Sequence, residues 1–232
     1  MGDNVAEHKE KKPKVSAVHN ENKLKIRQDI ISIANIFQDF CGKYVLYVFN
    51  KSSAIEVYYR SSSFAHLTGV QTYLAAIDFY KKARKNQITI QQFWFDKEHP
   101  YDLVKKKVMN LKKIKNFIYN NVAVVTDLST NTCTFKFSLS ESDIALCLTP
   151  NYDKTTGKLI DEYYIPASFR VGDVDEKSNK KFSVSHIFIK NTKGEKYSNI
   201  TYGNQDSISE LTNNIKEKLH SNLYKPNEQD TP

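Results

Sequence analysis

The stretch YDLVKKKVMNLKKIKNFIYNNVAVVTDL, residues 101–128, decides the fold, because the spacing of its apolar residues changes partway through. Val104, Val108, Leu111, Ile114 and Ile118 recur at three- and four-residue steps, which predicts a helix whose other positions are filled largely by lysine. After Asn121 the pattern becomes strand-like. Val122 to Val125, Thr134 to Leu139, Ile144 to Leu148, Leu159 to Ile165, Phe182 to Ile189 and Tyr197 to Tyr202 are successive β-branched and aromatic runs separated by Asn, Asp, Gly and Lys turns.

Upstream of this switch the chain reads mostly as helix. Leu24, Ile26, Ile30, Ile33, Phe37 and Phe40 form one apolar face that stops at Gly42. Tyr44 to Phe49 and Ile55 to Tyr59 flank a polar turn and predict a β-hairpin. Residues 71 to 84 offer Tyr73, Leu74, Ile77 and Tyr80 as a helical face, and Thr89 is placed to cap a short helix holding Phe93 and Phe95. Ser207 to Leu219 predicts a closing helix. Helices followed by a run of strands predict an α+β fold with a curved, mainly antiparallel sheet in a single domain over residues 23–223. Residues 1–22 and 224–232 are charged or polar without a period and are expected to be loose tails.

Composition limits the function classes. The chain has 232 residues, 40% hydrophobic and 12% aromatic, which is more core-forming material than a disordered chain carries. Mean hydropathy is −0.56, and no apolar run approaches the ~20 residues a membrane span needs. The first twenty residues lack the apolar centre of an export signal, so a cytoplasmic location is expected. Cys41, Cys133 and Cys147 are odd in number and unpaired in spacing, and they read as reduced, buried residues. Neither they nor the six scattered histidines have ligand spacing, so no metal and no cofactor is expected. Gly-rich phosphate loops, G-x-S-x-G and H-E-x-x-H are absent from the sequence.

The charge is localised. Between residues 81 and 120 eleven basic residues stand against three acidic ones, which accounts for the formal net charge of +8 of the whole chain. Lys105, Lys106, Lys112 and Lys113 are the candidate nucleic-acid-binding residues on this face. An ordinary solvated helix face is the competing reading.

Two short segments carry candidate chemistry. In FAHLTG (64–69), His66 and Thr68 are expected on one side of an extended segment before a turn at Gly69. Imidazole suits proton transfer near neutral pH, and the hydroxyl could bind a phosphate oxygen; a structural histidine bonded to a carbonyl is the alternative. In YYIPASFR (163–170), Ser168 and Arg170 are expected on one side of an extended stretch while Tyr164 and Phe169 pack inward, with Arg170 the natural partner of a phosphate. His186, within an alternating strand, reads as a packed residue.

FAHLTG leading into a helix, a D-x-x-H-P entry before Tyr101, the later strands and YYIPASF together resemble the phage-associated branch of the barnase, EndoU, colicin and RelE-like nuclease superfamily, in particular its fourth group. The resemblance covers about residues 40–203. It implies helices followed by an antiparallel sheet, and a metal-independent endoribonuclease of a phage or mobile element, toxin-like, with a protein partner or antitoxin conceivable. The motif histidine falls on His66, its hydroxyl on Thr68 and the second motif on Ser168. Arg170 stands where some members carry an aromatic, so its phosphate role rests on chemistry alone. The competing class is a catalytically inactive module that holds nucleic acid or a nucleoprotein through the lysine-rich helix.

Overall fold

The computed structural model describes residues 17–130, 133–153, 155–172 and 174–224; of the expected tails, residues 1–16 and 225–232 lie outside that range. The first helix, α1 (Ala17–Gln38), begins ahead of Leu24, where the apolar series starts. Strands β1 (Tyr44–Phe49) and β2 (Ser53–Tyr58) form the expected hairpin, turning through Asn50 and Lys51 at φ 53° and 56°. A 3₁₀ turn (Ser61–Ser63) runs into the short helix α2 (Phe64–Thr68). Next come β3 (Gln71–Thr72), α3 (Ala76–Arg84), β4 (Phe93–Trp94), α4 (Tyr101–Leu111) and α5 (Asn116–Tyr119). The strands then follow as β5 (Ala123–Ser129), β6 (Thr134–Glu141), β7 (Ile144–Tyr152), β8 (Leu159–Val171), β9 (Lys180–Lys190) and β10 (Asn199–Tyr202). A 3₁₀ turn (Gln205–Glu210), α6 (Asn213–Lys216) and a last 3₁₀ turn (Ser221–Leu223) close the described chain.

The fold is the expected α+β with a large, mainly antiparallel curved sheet. Its order is β1-β2-β8-β7-β6-β5-β9-β10, and β1 also pairs with β9, so seven strands close into a ring with β10 outside it. The early hairpin therefore completes the sheet built by the later strands. Only β2 and β8 run parallel, meeting at Val57 and Tyr164.

Three local expectations differ. Residues 89–95 form a turn instead of a helix: Gln92 Oε1 accepts from the Thr89 amide, and Phe93 enters β4. Residues 71–72 are strand because they pair with β4, and Thr72 Oγ1 donates to Gln92 O at 2.7 Å. The closing helix is interrupted at Leu211 and Thr212, both extended (ψ 149° and 158°). That break lets Ile208, Leu211, Ile215 and Leu219 all reach Leu46, Val48 and Phe188 on the sheet.

The main core lies between helices and sheet. Phe37 of α1 meets the rings of Phe40, Tyr59, Phe64 and Tyr80 with centroids 5.0–6.5 Å apart, which ties α1 to the residue just after β2, to α2 and to α3 in tilted and edge-on contacts. On α4, Val104, Val108 and Leu111 are buried in the same core; the helix expected to run on to Ile118 ends at Leu111, and the series continues through Ile114 in a turn and Phe117 and Ile118 of α5. In β8 a bulge beside Pro166 pairs Cys147 with Ser168 but Leu148 with Pro166. The extra residue lets both Tyr164 and Phe169 face the main core, and it turns Ser168 and Arg170 to the opposite face.

Candidate functional site

FAHLTG is helical, not extended, and this separates the two side chains expected to act together. Two positions along a helix are about 200° apart, so His66 is exposed while Thr68 is fully buried. The Thr68 hydroxyl donates to Ala65 O at 2.7 Å, and its oxygen accepts from the Val70 amide at 3.4 Å. Thr68 thus caps the end of α2 in place of the phosphate contact expected of it. Gly69 follows at φ 76°, the left-handed conformation that ends a helix and favours glycine.

His66 and Gly69 line a cleft of about 330 Å³ together with Gln71, Thr72, Leu74 and His99. His99 comes from the D-x-x-H-P segment, and its position is set on two sides. The Asp96 carboxylate accepts from the His99 amide at 2.6 Å and lies 3.4 Å from Nδ1. Gln71 Nε2 sits 3.0 Å from the same Nδ1. With Nδ1 engaged, Nε2 is the ring nitrogen available for proton transfer. Sequence reasoning missed His99 as a site residue, although it lay in the quoted entry motif.

A second cleft, of about 190 Å³, is lined by Leu103, Lys106 and Lys107 of α4, by residues 128–130 at the end of β5, and by Arg170 to Gly172, Val174 and Lys177. Four cationic side chains line it and, among the described residues, no carboxylate does. Arg170 enters from β8, and its Nε is buried without a hydrogen-bond partner. Lys107 is buried, and loss of hydration, with the Arg170 charge adding to it, lowers its ammonium to about 8. Two cations held together with a buried donor unused are chemically suited to an anion.

The clefts adjoin through one contact. A Cβ on Gly69 would stand 2.9 Å from Lys107 Cδ and 3.3 Å from Nζ, so the bare glycine backbone admits the lysine. Lys107 was legible as an anomaly, since it occupies the apolar stripe of Val104, Val108 and Leu111.

Of the four lysines expected to bind nucleic acid, Lys106 lines the basic cleft. Lys112 pairs with Asp29 at 2.5 Å, and Lys105 lies 5.9 Å over the Tyr101 ring. Lys105, Lys106, Lys112 and Lys113 are all exposed. Ser168 is half-buried on β8 opposite Cys147, on the same face as Arg170, and lines neither cleft. His186 is packed as expected: Nε2 lies 3.0 Å from Asn204 O and 2.9 Å from Ser207 Oγ, and burial lowers its pKa.

Of the three cysteines expected to be buried, only Cys147 is; Cys41 is half-buried and Cys133 exposed, and all three are reduced thiols. Burial pushes the Cys147 thiol up to about 11, which keeps it protonated. Among the described residues no group of three or more His, Cys, Asp or Glu side chains is arranged to hold a metal, and no helix is long and apolar enough to cross a membrane.

No curated protein and no solved structure matches the chain. A family model does match, over residues 29–206, from within α1 to the 3₁₀ turn after β10. It contains both clefts and every strand, and by that match the chain belongs to the family described as phage-Barnase-EndoU-ColicinE5/D-RelE like nuclease4.

Proposed function

We propose that the chain is a metal-independent endoribonuclease that binds the scissile phosphate of RNA at Lys107 and Arg170 and moves protons with His66 and His99. The observation that carries this reading is the buried Lys107 between the two clefts: it touches Gly69 of the histidine cleft and lines the basic cleft with Arg170. A nuclease family and an anion site of this kind belong together, because charge grows on the phosphate as its bonds rearrange, and preorganised cations stabilise that charge.

The histidines divide the proton transfers. With the Asp96 carboxylate beside Nδ1, the protonated His99 ring presents its Nε2–H, and as imidazolium it is the acid for the departing 5′-oxygen. His66 is then the base that takes the ribose 2′-proton. The 2′-oxygen attacks phosphorus, the 5′-oxygen leaves with the proton from His99, and a 2′,3′-cyclic phosphate remains. Neither Thr68 nor Ser168 is needed in this scheme.

The test is cleavage of a single-stranded RNA by the purified protein. Removing a general acid or base costs about a hundred- to ten-thousand-fold in rate, so His66→Ala and His99→Ala each lose nearly all cleavage while remaining folded. A substrate with deoxyribose at the cut site resists, and a chelator changes nothing. Cleavage abolished by chelator, or unaffected by both substitutions, overturns the reading.

A further inference from the structure

We infer that Trp94 is a stacking platform for an unpaired nucleobase, which makes single-stranded RNA the substrate class of the site; the inference rests on the proposed reading of the two clefts. Trp94 is the one tryptophan of the chain and is 40% exposed, whereas its strand neighbour Phe93 is fully buried. It stands directly across from Gln71 in the β3–β4 ladder. Residues opposite one another in an antiparallel pair project to the same face with Cβ atoms about 5 Å apart. Gln71 lines the histidine cleft and contacts His99, so the indole stands on the same face of the ladder as the residue that holds His99.

The surroundings fit a base more than a packing defect. Tyr73, next to cleft residues Thr72 and Leu74, is 65% exposed, and Ile77, next to Ala76, is 46% exposed. The segment that follows Gln71 therefore carries two more large apolar side chains in water, while the adjoining cleft supplies cations for a phosphate. A single-stranded nucleotide offers both halves of that complement, a flat base and an anion. In a duplex each base is already stacked on both faces and is closed to the indole.

The experiment uses the intact protein and a six-residue 2′-O-methyl oligoadenosine, which lacks the attacking hydroxyl and cannot be cut. The emission of Trp94 is followed as the oligonucleotide is added, alone or annealed to its complement. The expected result is saturable quenching by the single strand and little by the duplex. Binding followed by a dye on the oligonucleotide weakens about tenfold or more in Trp94→Ala and is largely retained in Trp94→Phe. Equal quenching by duplex, or unchanged binding by Trp94→Ala, overturns the stacking assignment. Cleavage of ordinary RNA is scored separately: a wild type that binds this way but never cuts overturns the nuclease reading and supports stacking, and a wild type that cuts while Trp94→Ala binds normally does the reverse.

Discussion

The side chain of Lys107 runs against the backbone of Gly69 so closely that a Cβ at Gly69 would lie 2.9 Å from Lys107 Cδ. This contact joins the histidine cleft to the basic cleft. It also makes the position of one buried cation depend on the absence of a side chain in a different segment.

Gly69→Ala is expected to harm both folding and binding. The left-handed φ of 76° costs a non-glycine residue about 1 kcal/mol, and the added methyl forces Lys107 to move. Denaturant titration should show a loss of about 1 to 2 kcal/mol, together with weaker sulfate binding. In the Lys107→Ala background the steric part disappears and only the backbone part remains, so the two substitutions are not additive.

Lys107→Met should stabilise the protein while removing its anion site. A buried ammonium lowered to about 8 opposes folding below that pH, because the unfolded chain hydrates the same charge freely. Near pH 7, without multivalent anions, the variant is expected to be more stable by about 1 to 3 kcal/mol. Sulfate should raise the melting temperature of the wild type and leave the variant unchanged. An equal sulfate effect in both would place the anion elsewhere.

The same group sets a pH signature. Between about pH 8 and the ordinary lysine value near 10.5, folded Lys107 is neutral while the unfolded chain still holds the proton. The unfolded state then binds more protons, so this residue makes stability rise with pH across that window. Sulfate binding runs the opposite way and weakens as pH rises through about 8. Comparing wild type with Lys107→Met at neutral pH and at about pH 9.5 isolates both trends.

Tyr47 and Tyr59 are fully buried, with their hydroxyls 2.7 Å apart. Burial raises both pKa values, that of Tyr47 well above the ordinary range, so the pair is neutral. Either Tyr→Phe change strands one hydroxyl and is expected to cost about 1 to 3 kcal/mol, whereas the double change removes both polar groups and costs less than the sum. A double-mutant cycle by urea unfolding checks this; simple additivity would show that the hydroxyls are not coupled.

Gly203, at φ 104°, passes over β9 so closely that a Cβ would lie 2.9 Å from His186 Cδ2 and clash with Ser185 O. Backbone cannot yield as a flexible side chain can. Gly203→Ala is therefore expected to destabilise by more than about 3 kcal/mol or to prevent folding, judged by soluble yield and circular dichroism.

Much of the fold was legible because it is written in local period. The helix from Tyr101, the hairpin about Asn50 and the strand runs after Asn121 form where the spacing predicts, although that helix ends at Leu111 and its apolar series resumes in α5 after a turn. The misjudged places are those where a neighbour distant in sequence outvotes local pattern. Residues 71–72 become strand because β4 pairs with them, and the final helix breaks at Leu211 because four apolar side chains must reach one patch of sheet. FAHLTG is too short for its period to separate helix from strand.

The sequence by itself determined the element classes, the confinement of the net charge to residues 81–120 and the presence of histidine and arginine motifs, since each of these is a property of residues near one another along the chain. The tertiary structure alone decided which of those groups form a site. Gly69, Lys107 and Arg170 belong to α2, α4 and β8 or their ends, and they meet because the core draws those elements together. Burial then sorts chemically similar residues: it leaves Lys105 and Lys113 in water, encloses Lys107, and turns Thr68 away from solvent while His66 stays at the surface. Spacing along one segment cannot report such differences, because the dielectric around a charge is set by whatever segments fold over it.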